Sequence, residues 1–85
     1  MFSLLNLNGM KSFSVNPKIV YHIEPNLMYG WNFKYADSRY IIKFGQDRNI
    51  VLNYAESYCR SRNCELVVFD HAGNVEEIIS FTGVN

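Results

Sequence analysis

The sequence predicts an α+β fold: a single antiparallel sheet, formed by a three-strand meander, one helix and a two-strand hairpin, with the helix packed on one face. Three observations predict it. β-branched and aromatic runs fill the first half of the chain, helical periodicity begins only at Gln46, and two further apolar runs follow with a turn around Gly73 between them. The chain has 85 residues, of which 48% are hydrophobic and 15% aromatic, so it suffices for one core and no second domain. Eight basic residues balance eight acidic ones, and a chain this apolar with zero net charge is unlike a disordered one.

The organisation divides into an N-terminal arm over residues 1–16, predicted to be flexible, and a single α+β domain over residues 17–85. Met10 offers a second possible start. Between Pro17 and Pro25 the run KIVYHIE is bounded by turn residues and predicts the first strand, with Ile19, Tyr21 and Ile23 on one face. The segment GWNFKYADSRYIIKF then predicts a hairpin. With Asp37-Ser38 as a two-residue loop, Tyr35 faces Tyr40, Phe33 faces Ile42 and Trp31 faces Phe44, which puts six large apolar residues on one side. Lys34 with Ile41, and Asn32 with Lys43, fall on the other.

From Gln46, Val51, Leu52, Ala55, Tyr58 and Cys59 recur on one helical face, with Asp47 as N-cap and Asn63 as a left-handed C-cap. That face is expected to cover Trp31, Phe33 and Ile42. ELVVFD and NVEEIISF predict the final hairpin, where Gly73 can take a positive φ.

The stretches Tyr21-His22-Ile23-Glu24-Pro25, Gly30-Trp31-Asn32-Phe33-Lys34 and Glu65-Leu66-Val67-Val68-Phe69, with the turn at Gly73, resemble a small bacterial family known as domain of unknown function 2188. The resemblance covers roughly residues 19 to 79. It departs from the family's pattern in the bulky Val51, Leu52 and Tyr54 of the helix and in Asn63 after it, where the family usually has Ala and Gly. What it implies is a fold, with no activity and no catalytic residue to carry over.

The residues that carry chemistry are few. His22, Cys59, Cys64 and His71 are the candidate metal ligands, but the two cysteines lack a second pair to complete a four-ligand site and read better as core thiols. Cys64 and His71 are near only along the chain, and a thiol at a helix C-terminal end is poorly placed to ionise. Glu76 and Glu77, adjacent on a strand, converge only if a bulge intervenes. The five glycines make no phosphate loop. The expectation is therefore a protein without enzymatic activity, cofactor, metal or small-molecule substrate.

Two binding readings remain. Val20, Ile41, Val67, Phe69 and Ile78 are expected on the sheet face away from the helix and form the candidate interface for a protein partner or a homodimer. The alternative is a nucleic-acid surface using Lys34, Arg39 and Lys43 on one sheet face. All eight bases lie in residues 1–64 and four acids lie in residues 65–85 without a base, so a segregated basic patch would favour the second reading. No apolar run reaches the roughly 20 residues of a membrane span, and two lone cysteines suit a reducing setting, so a cytoplasmic location without membrane association is expected.

Overall fold

The computed structural model describes residues 18–82; the predicted arm lies outside the described residues. Its elements in chain order are β1 (Ile19–Pro25), β2 (Trp31–Tyr35), β3 (Ile41–Gly45), α1 (Arg48–Cys59), β4 (Asn63–Phe69) and β5 (Val75–Thr82). They form one five-stranded sheet in the order β3-β2-β1-β4-β5, with α1 against one face.

The sheet is mixed, which corrects the purely antiparallel expectation. The meander and the final hairpin are antiparallel, but β4 lies parallel to β1, with Tyr21 opposite Leu66 and Ile23 opposite Val68. Parallel neighbours need a long crossover, and α1 supplies it by carrying the chain from the β3 edge back over the meander. β1 becomes the central strand. Its inward residues Tyr21 and Ile23 are buried, as are Trp31 and Phe33 of β2 and Cys64, Leu66 and Val68 of β4.

Val51, Ala55 and Cys59 of α1 close over these residues, with Leu52 and Tyr58 packed beside them. The predicted apolar stripe is therefore the helix's contact face. Tyr21 is the hub: its ring lies 5.2 Å from Phe33 and 4.9 Å from Tyr35 in stacked arrangements, and 5.5 Å from Tyr58 edge-on. Asp47 caps the helix as expected, its Oδ1 accepting the Asn49 N–H at 2.9 Å. The exit differs. Arg60 stays right-handed, the Arg62 side chain donates to the Tyr58 carbonyl with its guanidinium 4.0 Å from the Tyr58 ring centre, and Asn63 opens β4. A left-handed cap is unnecessary because Arg62 occupies a terminal carbonyl and the turn runs straight into the strand.

The β2–β3 register also differs from expectation. Trp31 faces Gly45, Asn32 faces Phe44, Phe33 faces Lys43 and Lys34 faces Ile41, with a bulge that leaves Ile42 unpaired. Asp-Ser does not close a two-residue loop; residues 36–40 form the connection, held by Ser38 N–H to the Tyr35 carbonyl at 3.3 Å and Tyr40 N–H to Ser38 Oγ at 2.9 Å. A second bulge lies between Val68 and Phe69 opposite Glu76.

Two consequences are measurable. Gly30 sits at φ +81°, where a Cβ would lie 2.7 Å from the Gly45 carbonyl, whereas Gly73 at φ +85° has open space around it. Gly30→Ala should therefore cost about 2–3 kcal/mol in urea unfolding, combining backbone strain with a contact that backbone cannot relieve, and Gly73→Ala about 1 kcal/mol. Burial pushes the Tyr21 phenol well above its ordinary value, with the Tyr35 and Tyr58 hydroxyls adding to the effect, and burial likewise raises the Cys59 thiol. The unfolded chain thus loses these protons first on alkaline titration, so this contribution to stability is intact below about pH 9 and declines as pH rises above it. A urea midpoint that falls from about pH 9 upward, and falls less steeply in Tyr21→Phe, is the expected result.

Candidate functional site

Strand alternation decides which side chains the sheet shows on the face that α1 leaves open. Paired residues share a face, so one row runs across the whole sheet from Ile41 through Lys34, His22 and Val67 to Ile78. Phe44, Asn32 and Glu24 align beside it, and Val20 and Glu65 on its other side. All five members of the candidate interface, Val20, Ile41, Val67, Phe69 and Ile78, thus lie on this open face. They do not form one apolar patch.

A polar column splits it. His22 Nδ1 lies 3.5 Å and Lys34 Nζ 3.7 Å from the Glu24 carboxylate, and Asn32, buried in β2, accepts from Asn26 Nδ2 at 2.9 Å. On one flank of the column are Val67 and Phe69, half-buried, with Val75 and Ile78 exposed at 55% and 57%. The Phe69 ring meets His22 edge-on at 4.9 Å. On the other flank are Ile41 and Phe44 at the β3 edge, with Tyr29 against Phe44. Between that flank and the column, Glu24, Leu27, Lys34, Arg39 and Ile41 border an open depression of about 420 Å³.

The proposed basic face is not assembled. The bulge at Ile42 moves Lys43 to the helix side, where its Nζ lies 5.2 Å from the centre of the Tyr54 ring, while Lys34 stays on the open face. Lys34 is also occupied: its ammonium donates to the carbonyls of Tyr35 at 3.1 Å, Ala36 at 3.4 Å and Ser38 at 2.9 Å, so it clamps the β2–β3 connection. Arg39 is exposed in that connection. Of the three, only Lys34 and Arg39 border the same surface, and Glu24 shares it. The acidic hairpin joins the basic meander directly, β4 pairing with β1, while their outer strands β5 and β3 stand at opposite ends of the sheet.

The candidate ligands are dispersed as well. Cys59 and Cys64 are buried and free, the Cys64 thiol pointing at the Cys59 carbonyl at 3.7 Å. His22 lies on the open face and His71 in the β4–β5 turn, against Trp31. Among the described residues no cluster of three or more His, Cys, Asp or Glu side chains could hold a metal ion. Among the same residues no helix is long and apolar enough to cross a membrane.

Sequence reasoning missed one constellation. Arg48, in the first turn of α1, donates from one terminal nitrogen to Glu76 Oε1 at 2.9 Å and to the Phe69 carbonyl at 3.2 Å, and its guanidinium lies 5.1 Å from the Trp31 ring centre. The second bulge makes this contact possible by leaving Glu76 outside the ladder; Glu77, opposite Val68, also takes the helix side. Arg48 thus ties the helix start to the outer hairpin. Replacing it with Met, which keeps much of the stem, should lower stability by about 1–2 kcal/mol, and Glu76→Gln by under about 1 kcal/mol because the carboxylate is half-exposed. Urea midpoints at constant slope, combined in a double-mutant cycle, measure both.

No protein-family model, curated protein or solved structure matches the chain.

Proposed function

We propose that this domain is a non-enzymatic protein-interaction module that self-associates through the β4–β5 half of its open sheet face. The observation that carries the reading is the apolar flank there: Val75 and Ile78, each more than half exposed, adjoin Val67 and Phe69 on a face that no described helix covers. Contiguous apolar surface is costly to leave in water and is removed by association. Val20 borders this flank across Glu65. Ile41 lies beyond the polar column, so its part in the interface is secondary.

Support for a non-enzymatic role comes from the dispersal of the reactive groups. The thiols are buried with Cys59 held protonated, and the two depressions at the sheet are open ones, bordered by strand ends and turns. A reducing, cytoplasmic setting suits two buried unpaired thiols. The likeness to the small bacterial family rests on stretches that fall on β1, β2 and β4 and on the Gly73 turn, and it adds no activity to this reading.

Light scattering across a concentration series is the test. The parent chain should move toward twice its 9.9 kDa mass as concentration rises. Ile78→Lys, at a position already exposed, should weaken that association tenfold or more by placing a charge in the interface, and Phe69→Lys at least as much. A chain that remains monomeric to millimolar concentration overturns the reading, as does an association that both substitutions leave unchanged.

A further inference from the structure

The two ends of the sheet are unlike. β3 is a five-residue edge strand, interrupted by a bulge and carrying Lys43, which are features that discourage pairing with another chain. β5, at the other end, is the longest of the described strands, with eight residues. Six of the eight are exposed, and the run VEEIISFT contains no proline and no lysine. Below the bulge at Glu76, its pairing with β4 is unbroken from Glu77 to Thr82, and among the described residues no strand pairs with the outer side of Glu77–Phe81. The helix packs over β1, β2, β3 and β4 and leaves β5 at the margin of its cover.

We infer that the partner of this domain is a second copy of the same chain, joined by antiparallel pairing of β5 with β5 about a two-fold axis near Ile79 to make a continuous ten-stranded sheet. This rests on the self-association proposed above and places the contact at the outer edge of the same β4–β5 half of the sheet. Having a single inviting edge is what makes the pairing close: each copy uses β5 once, and the opposed β3 edges resist further addition, so a dimer forms rather than a filament.

The register follows from the side chains. Centred on Ile79, the pairing places Ile79 opposite its own copy, Ile78 opposite Ser80 and Glu77 opposite Phe81, and no carboxylate faces another. A centre at Glu77 would oppose the two Glu77 carboxylates and is unfavourable. Net charge of zero leaves no overall repulsion between copies. In this arrangement the open faces of the two copies lie on the same side of the continuous sheet, with Ile78 of each copy beside Ser80 of the other at the seam.

Two measurements on the full chain test it. In Ile79→Cys, mild oxidation should give a covalent dimer, because the self-paired position brings the two new thiols together; the native thiols are buried and give a low background. Ser57→Cys, exposed on the helix, should give none. Independently, amide hydrogen exchange of the parent should slow at least tenfold at outward-facing β5 amides between dilute and concentrated samples, with β3 amides unchanged. A dimer by light scattering that shows neither the Ile79→Cys cross-link nor slowed β5 exchange overturns edge pairing and leaves face-to-face association standing. Slowing at β3 in place of β5 also overturns it, and a monomer at every concentration overturns this inference together with the reading it rests on.

Discussion

The parallel pairing of β4 with β1 is the constraint on which the rest of the molecule depends. It joins Ile19–Ile23 to Cys64–Val68 and makes β1 the middle of the sheet. An antiparallel neighbour could have followed from a short turn, but a parallel one requires the chain to return across the sheet, and α1 is that return. Placing Val51, Ala55 and Cys59 over Tyr21, Phe33 and Leu66 is thus a result of connectivity as much as of amphipathicity. One crossover covers one face, so among the described residues no layer lies on the other.

That asymmetry sets what the surface can do. On the covered side aromatic rings gather around Tyr21, and burial holds its phenol neutral. The open side shows His22, Glu24, Lys34 and Asn32 down its middle, where the Lys34–Glu24 ion pair, the His22 ring beside Glu24 and an amide hydrogen bond engage groups that would otherwise be unfavourable against an apolar partner. The flanks of that column are apolar. A partner lying across the whole face would have to desolvate the column, whereas one meeting β4 and β5 touches Val67, Phe69, Val75 and Ile78, with Glu65 and Ser80 beside them.

The bulges are small features with large effects on chemistry. At Ile42 an extra residue turns Lys43 from the open face to the helix side and so dissolves the basic surface that a regular hairpin would have built. At Glu76 the same device frees a carboxylate to meet Arg48, tying the start of the helix to the outermost hairpin. Both bulges affect an outer strand, one shielding its edge with a lysine nearby and the other leaving a regular six-residue run beyond it.

The sequence by itself determined the element types and much of the core. Alternation marked the strands, the spacing of Val51, Ala55 and Cys59 marked the buried stripe of α1, Asp47 marked its start and Gly73 marked a turn that needs positive φ. These are local properties, set by side-chain periodicity and by which residues tolerate a given backbone conformation. It also placed Val20, Ile41, Val67, Phe69 and Ile78 on one face, since a period of two is all that requires. Tertiary structure decided the rest: that β4 lies parallel to β1, that Lys34 and Lys43 part company, that Arg48 reaches Glu76 and that β5 stands at an edge. Each depends on long-range pairing or on one inserted residue, and shifting the register by one residue exchanges the faces without changing the pattern a strand shows in sequence.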